Sequence, residues 1–274
     1  MNKKNNISVV VVVYNEEGRI ENFLKSFLWA DEIIVVDKSS TDRTIEIARN
    51  FTKNIICVPY SDASGSFKIG IDAARNLWVL TLTASDIMHP RLASKIILLI
   101  NDPEFDYDVI SLPFAIYVFG ISDPKRSPWN ITSKQWLWKK NVIITSDEVH
   151  NETSHASQKI FVMSPSREEN LYHLTHGNLE IFLERHTRYA RLEALKFTDE
   201  LLAFKKCRWM LWRSIRLVLF KQKTYLLGWN GLALGLAYIL YFILIYLFVW
   251  ERFRGPGDEK YTEIRKKLLG IHKV

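Results

Sequence analysis

The stretch Ile7–Asp42, ISVVVVVYNEEGRIENFLKSFLWADEIIVVDKSSTD, decides the fold because it contains two strand patterns joined by a helix pattern. Ile7–Val13 is a nearly continuous β-branched run, which predicts a parallel strand buried on both faces. Apolar residues at helical spacing follow between Ile20 and Leu28. Glu32–Val36 is the second apolar run. The order strand, helix, strand predicts two neighbouring parallel strands.

A polar cluster stands at the end of each of these strands. The cluster YNEE (residues 14–17) follows the first strand, and DKSSTD (residues 37–42) follows the second. Parallel strands end at the same edge of a sheet, and open α/β sheets bind ligands at that edge. We therefore expect the two clusters to line one binding site.

The two clusters at this spacing resemble the opening of glycosyltransferase family 2, especially the lipopolysaccharide core-type glucosyltransferases and their relatives in surface-polysaccharide synthesis. The resemblance continues through Trp78–Pro90, Val149-His150 and His176–Ala194. It therefore covers most of the first 200 residues. It implies an α/β fold of the GT-A type, with a mostly parallel sheet flanked by helices. It also implies an inverting transfer of one sugar from a nucleotide-diphosphate donor.

The chain after residue 42 continues to alternate between helix and strand patterns. Helices are predicted over residues 44–51 and 67–76 and from residue 90, and strands over 54–58, 78–82 and 108–113. Ser40 or Thr41 is the predicted N-cap of the first of these helices. Glycine and proline between residues 117 and 140 predict a long loop of the kind that covers a substrate cleft. We assign residues 1–200 to a transferase domain.

The remaining residues, 201–274, have the composition of a membrane-associated appendage. Tyr225–Trp250 contains no charged residue and no histidine, and as a helix it reaches roughly 39 Å, beyond the roughly 30 Å hydrocarbon core of a bilayer. Seven Lys or Arg residues lie between Lys205 and Lys223 among tryptophans, a mixture typical of a membrane interface. Two arrangements stay open: a single pass, or a hairpin bent near Gly231 or Gly235.

The net charge of +7 and the pI near 9.2 imply an anionic partner. Much of the basic character lies beside the apolar segment, which favours anionic lipid over nucleic acid, so no nucleic-acid partner is expected. The two cysteines, Cys57 and Cys207, are too few for a disulfide framework and indicate a reducing compartment. We expect the protein to act at the cytoplasmic face of the inner membrane.

Nucleotide binding is assigned through the resemblance. It implies that the donor is a UDP-sugar, that Asp37 accepts hydrogen bonds from the base or ribose, and that Tyr14, Asn15 and Glu16 line the surrounding pocket. The residues alone also allow a simpler interpretation, in which YNEE is a polar turn whose acidic side chains start a helix.

The chain departs from the family it resembles at the metal site. Relatives carry an Asp-x-Asp element after the fourth strand, and its carboxylate holds Mg²⁺ or Mn²⁺ against the diphosphate. The matching positions here are Thr83, Ala84 and Ser85, followed by Asp86. Three interpretations stay open: Asp86 binds the metal, Lys68 and other cations neutralise the diphosphate, or transfer activity is lost. Lys68 and Ser85 complete the predicted nucleotide-binding set.

An inverting transfer needs a base that takes the proton of the acceptor hydroxyl group. The family places this base on a loop that corresponds here to residues 147–152. Glu152 and Asp147 are the candidate bases, and His150 is expected to contact the diphosphate or the acceptor.

The leading hypothesis is a membrane-associated inverting glycosyltransferase that extends a lipid-linked or lipid-anchored glycan in bacterial surface-polysaccharide or lipopolysaccharide synthesis. A variant of this hypothesis has polyprenyl phosphate as the acceptor. An alternative from another class is a non-catalytic nucleotide-binding or scaffold subunit on a transferase fold, which the missing carboxylates at Thr83 and Ser85 indicate. The sugar, the acceptor, the linkage and the oligomeric state stay open, and an oligomer is one of the alternatives.

Overall fold

The computed structural model of the protein describes residues 6–60, 65–145, 153–165, 168–255 and 257–269. Two compact units make up the fold. Unit 1 consists of Met1–Pro124 with Asn130–Thr175, and unit 2 consists of Lys125–Trp129 with His176–Val274. The domain boundary at residue 200 stays a prediction, and the helix over residues 179–195 lies in unit 2.

The described residues form eleven strands and eight α-helices. The strands are β1 (Ile7–Val13), β2 (Glu32–Asp37), β3 (Ile55–Cys57), β4 (Trp78–Thr83), β5 (Asp86–Met88), β6 (Val109–Val118), β7 (Ser133–Lys139), β8 (Ile143–Thr145), β9 (Thr153–His155), β10 (Ile160–Val162) and β11 (Leu171–Thr175). The helices are α1 (Ile20–Ser26), α2 (Thr44–Ala48), α3 (Ser66–Ala73), α4 (Pro90–Ile100), α5 (Leu179–Leu195), α6 (Glu200–Arg216), α7 (Gly228–Arg254) and α8 (Asp258–Leu268).

Within the described residues, unit 1 is built on a nine-stranded sheet in the order β3-β2-β1-β4-β7-β6-β11-β5, with β10 beside β6. β1 pairs in parallel with both β2 and β4, so the strand order reverses at β1. β7 runs antiparallel to β4 and β6, and β5 runs antiparallel to β11, while the other neighbours in this sheet run parallel. The predicted α/β class, a mostly parallel sheet flanked by helices, is confirmed.

The opening elements differ from the prediction only at their ends. β1 has the predicted bounds, and β2 extends one residue further, to Asp37. Helix α2 spans Thr44–Ala48, and its N-cap is Arg43. The prediction of Ser40 or Thr41 as this N-cap is wrong, because the Ser40 hydroxyl donates a hydrogen bond to Asp37 instead.

The predicted long loop over residues 117–140 is wrong at Ser133–Lys139, which forms β7 between β4 and β6. Leu137 and Trp138 of this strand are buried. Lysines at both ends of β7 obscure its pattern in the sequence. Pairing with strands on both sides makes this segment β-structure, because the packing of a strand against its neighbours outweighs local preference.

Helix α3 packs closely on β1 and β2 through Gly70. A Cβ atom at this position would lie 2.3 Å from Val10 Cγ1 and 3.0 Å from Val36 Cγ2, so any larger residue would push the helix away. Ile71 and Ala74 extend the same apolar contact. The close approach fixes α3, which carries Lys68, on strands whose ends form the candidate site.

Helices α5, α6 and α7 form the core of unit 2. Small side chains on α5 and α6 meet aliphatic side chains on α7, and the buried members of this core are Ala190, Ala194, Ala203, Cys207, Ile245 and Val249. Helix α7 continues unbroken through Gly231 and Gly235. A hairpin bent at these glycines, one of the two arrangements left open by the sequence, is therefore not formed.

Candidate functional site

The carboxyl ends of β1, β2 and β4 meet at one edge of the unit 1 sheet. Val13 of β1 pairs with Asp37 of β2, and Val12 of β1 pairs with Thr83 of β4. The two predicted polar clusters therefore follow neighbouring strands, and the turn at residues 83–86 lies on the other side of β1. The strand order reverses here, and open α/β sheets bind ligands at such a point.

Hydrogen bonds hold the two polar clusters together. The Asn15 backbone N–H donates to Ser40 Oγ at 2.9 Å, and the Thr41 N–H donates to Asn15 Oδ1 at 2.8 Å. The Glu16 N–H donates to Thr44 Oγ1 at 2.7 Å. Asn15 has a φ of 51°, a left-handed conformation that asparagine tolerates better than most residues. These contacts make the edge a fixed surface formed by both turns.

Asp37 is buried at the centre of this surface. Its side chain accepts hydrogen bonds from the Ser40 N–H, at 3.2 Å to Oδ1 and 3.1 Å to Oδ2, and from the Ser40 hydroxyl. The whole residue is 2% exposed. A carboxylate has about four acceptor positions, so two donor groups leave capacity for a hydroxyl or amide group of a ligand. Asp37 thus suits the predicted role of an acceptor for ribose or base.

Asp42 has a structural role in the second cluster. Its carboxylate accepts hydrogen bonds from the Thr44 N–H at 2.9 Å and from the Glu17 N–H at 3.0 Å. Burial raises the pKa of Asp42, but the hydrogen bond from the Thr44 hydroxyl and those from the two N–H groups outweigh burial and hold the pKa below its usual value. The side chain links the start of α2 to the first cluster.

Aromatic rings form one wall of the edge. The Tyr14 and Tyr60 ring centroids are 4.4 Å apart, and the Lys38 ammonium lies 5.5 Å from the Tyr60 centroid. Flat rings beside a fixed carboxylate suit a planar nucleobase, because bases stack on aromatic side chains. The sequence assigned no role to Tyr60 or Lys38, although both follow strands that end at this edge.

Arg19 connects the first cluster to the turn after β4. Its guanidinium forms an ion pair with Glu16 and donates a hydrogen bond from Nη1 to Ser85 Oγ at 2.9 Å. The structure therefore brings Glu16 and Ser85 together through a cation that the sequence did not single out. The available signal was the i, i+3 spacing of Glu16 and Arg19.

Asp86 is fully buried, and its carboxylate is in hydrogen-bond contact with three polar groups. Oδ2 accepts hydrogen bonds from the Thr83 N–H at 2.7 Å and from the Thr83 hydroxyl at 3.0 Å. Oδ1 lies 2.7 Å from Nδ1 of His173, which belongs to β11. No role for His173 was predicted from the sequence, because β5 and β11 meet only through the pairing of distant segments. Asp86 holds this pairing and the turn after β4 in place.

These side chains do not fit the Mg²⁺ or Mn²⁺ ion that the family resemblance implies. Such ions need oxygen ligands that face the substrate. Here the Ser85 hydroxyl accepts from Arg19, the Thr83 hydroxyl and Asp86 Oδ2 are bonded to each other within the turn, and Asp86 Oδ1 contacts His173 of β11. In the part of the chain that the structure describes, no group of three or more His, Cys, Asp or Glu side chains could hold a metal ion.

Of the remaining predicted site residues, the structure describes Lys68 but not the three predicted catalytic residues. Lys68 lies on the exposed side of α3 and forms an ion pair of 2.5 Å with Asp72, one helical turn further on. Its role toward the diphosphate stays a prediction. The predicted catalytic residues Asp147, His150 and Glu152 lie outside the described residues, and their roles also stay predictions.

A groove of about 760 Å³ adjoins the edge, between α1 and α4. Arg19 and Ser85 form part of its wall, and the rest is largely apolar, with Trp29, Ile97 and Leu174 among its lining residues. The groove is a second place in unit 1 where a ligand could bind.

Comparison with known proteins gives a family. The family model described as "Glycosyl transferase family 2" matches residues 8–171, which include all three strand ends of the site. An uncharacterised glycosyltransferase of Rickettsia prowazekii is 24% identical over 241 residues, 82% of this chain and 80% of that protein. The uncharacterised glycosyltransferase YibD of Escherichia coli is 24% identical over 152 residues, 50% of this chain and 44% of that protein.

Solved structures with some likeness include two proteins bound to uridine nucleotides. TarS 1-349 of S. aureus in complex with UDP-GlcNAc has a TM-score of 0.48 and 16% identity, with 92% of each chain covered. The glucosyl-3-phosphoglycerate synthase of Mycobacterium tuberculosis in complex with Mg²⁺ and UDP has a TM-score of 0.34 and 24% identity, over 39% of this chain and 43% of that chain.

Proposed function

The chain belongs to glycosyl transferase family 2, and on this premise we propose that it transfers one sugar, with inversion, from a UDP-sugar to a hydroxyl group of a lipid-anchored glycan. The observation that carries the proposal is the sheet edge at which buried Asp37, the contacting Tyr14 and Tyr60 rings and Arg19 lie together. Carboxylate, aromatic and cationic groups match the ribose, the base and the diphosphate of such a donor.

The proposed reaction is a single displacement at the anomeric carbon. The acceptor oxygen forms a bond to this carbon while the bond to the diphosphate oxygen breaks, and UDP leaves with the electron pair. Glu152 or Asp147 takes the proton of the acceptor hydroxyl, and His150 contacts the diphosphate or the acceptor. Asp37, Tyr14 and Asn15 position the nucleotide, which supplies the proximity on which such a transfer depends.

The test of this function uses radiolabelled UDP-sugars, the purified full chain in detergent and a lipid extract of bacterial membranes. We expect label from at least one donor to move into the lipid fraction, and we expect that transfer to fall about tenfold or more in Asp37→Ala at a low donor concentration. If the wild-type protein binds UDP but moves no label from any UDP-sugar, the protein is a binding subunit. The missing carboxylates at Thr83 and Ser85 are the observation that favours that second candidate. Label that enters polyprenyl phosphate itself would identify the variant acceptor.

We also propose that unit 2 holds the protein at the cytoplasmic face of the inner membrane, in surface-polysaccharide or lipopolysaccharide synthesis. In the described residues, one helical stretch, Thr224–Arg254, is long and apolar enough to cross a bilayer, and an 18-residue window within it has a mean hydropathy of 2.5. Trp209 and Trp212 on α6 are each 57% exposed, and the exposed Arg213 lies 5.3 Å from the Trp209 ring. Exposed tryptophan beside basic residues suits the surface of an anionic membrane.

The packing of unit 2 favours a helix that lies in the membrane surface over one that crosses the bilayer. Helix α5 runs along α7, with the His186 and Tyr241 rings 5.1 Å apart and Arg252 Nη1 donating to Ala194 O at 2.8 Å. Helix α6 runs along α7 in the opposite direction, and the Phe204 and Tyr246 rings are 5.8 Å apart.

Both neighbours of α7 carry exposed charges, among them Glu184, Arg191, Lys205 and Arg208. A crossing α7 would carry these side chains into hydrocarbon, at a cost of about 2.5–3.5 kcal/mol for each charged residue near the centre. We therefore propose that unit 2 binds one leaflet with α7 near its surface.

Replacing Trp209 and Trp212 together with alanine is expected to weaken membrane binding about tenfold or more, because two large apolar side chains lose their burial in the interface. The measurement is flotation with vesicles of phosphatidylcholine mixed with phosphatidylglycerol. Leu98→Ala is the matched control, since Leu98 is an exposed apolar residue of unit 1, and it should bind as the wild type does. Equal binding of the double variant would contradict the assigned surface.

Cysteine labelling distinguishes the two arrangements of α7. In a Cys57→Ser background, which retains the buried Cys207, one cysteine at a time replaces Leu226 or Asp258, which lie beyond opposite ends of the helix. Sealed vesicles with protein added from outside are treated with a membrane-impermeant maleimide. We expect both cysteines to react, because both ends stay on one side. Protection of either one by the bilayer would show a crossing helix and exclude the one-leaflet arrangement.

A further inference from the structure

Lys134 lies on β7, where it pairs in register with Leu112 of β6, and its side chain is half-buried. The ammonium nitrogen lies 4.8 Å from the centroid of the Trp136 ring and 5.8 Å from that of the Phe114 ring. Within the described residues, no hydrogen bond or ion pair of this ammonium group is seen. A half-buried cation against two aromatic rings has unused hydrogen-bonding capacity.

The position of Lys134 is close to the turn after β4. β7 runs antiparallel to β4, with Leu80 paired to Leu137, so the start of β7 and the end of β4 lie at the same edge of the sheet. Phe114, which contacts Lys134, is 5.8 Å from the ring of His173, and His173 contacts Asp86. The ammonium group therefore adjoins the positions at which relatives carry their metal-binding carboxylates.

The charge of Lys134 is only partly compensated by the protein. Burial lowers the pKa of Lys134, and the negative charge of Asp86 opposes this shift. Asp86 already accepts hydrogen bonds from Thr83 and contacts His173, so it acts on Lys134 through space. A buried charge is costly unless it is paired, and an anionic ligand would supply the missing partner.

Two other cations of unit 1 near the edge have carboxylate partners. Arg19 pairs with Glu16, and Lys68 pairs with Asp72 on an exposed helix surface. Lys134 differs from both because the described residues provide aromatic surface around it and no ion pair. It is therefore better prepared than either of them to meet a phosphate oxygen.

We propose that Lys134 binds the diphosphate of the donor and stabilises the departing UDP, in place of the metal ion that carboxylates at positions 83 and 85 would hold. This inference rests on the proposed function. As the bond between the anomeric carbon and the diphosphate oxygen breaks, its electron pair stays on that oxygen, and the Lys134 ammonium donates a hydrogen bond to it. The acceptor proton goes to the base, so Lys134 keeps its own proton. Fixed charge aimed at a leaving group is an effective form of catalysis.

The test compares the binding of UDP and of uridine by calorimetry, with EDTA present and with Mg²⁺ present. Lys134→Met removes the charge and keeps an apolar chain of similar length against the two rings, and Lys134→Arg restores a charge. Lys53→Met is the matched control at an exposed lysine of unit 1. Thermal unfolding of each variant establishes that the fold is intact.

We expect wild-type protein to bind UDP equally well with EDTA and with Mg²⁺. Lys134→Met should bind UDP about tenfold to hundredfold more weakly, because a charged hydrogen bond is lost, and should bind uridine as the wild type does. Lys134→Arg should recover part of the affinity for UDP, and Lys53→Met should match the wild type.

Two results would overturn the inference alone: UDP binding that EDTA abolishes in the wild type, or unchanged UDP binding in Lys134→Met. In both cases nucleotide binding itself stays intact and the proposed function stands. If the folded wild-type protein binds neither UDP nor uridine under either condition, the proposed function fails and the inference fails with it.

Discussion

Asp37→Ala is expected to lower the affinity for UDP by about tenfold to hundredfold, which is the effect of losing a hydrogen bond to a charged group. The carboxylate is buried at the junction of the two polar clusters, and it has acceptor capacity left after binding Ser40. Its loss removes the acceptor for the nucleotide and also frees Ser40, to which the Asn15 N–H donates. Calorimetric titration with UDP measures the change.

Two further variants separate these contributions. Ser40→Ala keeps the carboxylate and removes the hydroxyl link, so we expect a smaller loss of affinity than in Asp37→Ala. Asp106→Ala is the matched control, because Asp106 is an exposed carboxylate of unit 1 that pairs with Lys159. If Asp37→Ala binds UDP as tightly as Asp106→Ala does, Asp37 is not the nucleotide acceptor.

Asp86→Ala is expected to lower the free energy of unfolding by about 2–4 kcal/mol, since each buried polar group left without its partner costs about 1–3 kcal/mol. The change removes the acceptor of the Thr83 N–H and the partner of His173 at once. The Thr83 contact closes the turn after β4, and the His173 contact joins β5 to the distant strand β11, so the turn and the β5–β11 pairing weaken together. Urea unfolding of the purified chain measures the loss.

A metal-binding role for Asp86 predicts a different result. Asp86→Asn keeps the shape of the side chain and an oxygen for Thr83, so we expect it to be more stable than Asp86→Ala. If Asp86→Ala unfolds at the same urea concentration as the wild type and loses a Mg²⁺-dependent binding of UDP, Asp86 is a metal ligand. The account of a structural Asp86 would then be wrong.

The sequence was sufficient for the part of the site that lies close to the first two strands. Buried β-branched runs with polar residues directly after them specify parallel strands that end together, so Asp37 and Asn15 could be placed at one edge. The aromatic partner Tyr60 follows the third strand of the same series. Its contact with Tyr14 depends on side-chain direction, which strand order does not specify.

The rest of the site depends on contacts between distant parts of the chain. Lys134 could not be predicted as a site residue, because its strand has a charged residue near each end and follows glycine and proline. This pattern is typical of a loop. The burial of Asp86 follows from its pairing with β11, which begins 85 positions after Asp86 (171 − 86). Such pairings arise from tertiary packing, and local residue preference gives little information about them.

The most direct test of the central claim is hydrogen–deuterium exchange of the wild-type full chain, measured by mass spectrometry with and without UDP. We expect slower amide exchange with UDP in peptides that cover residues 14–19, 37–44 and 83–86, because the nucleotide binds where β1, β2 and β4 end. Protection confined to the groove between α1 and α4, or to unit 2, would contradict this expectation and would place the nucleotide elsewhere.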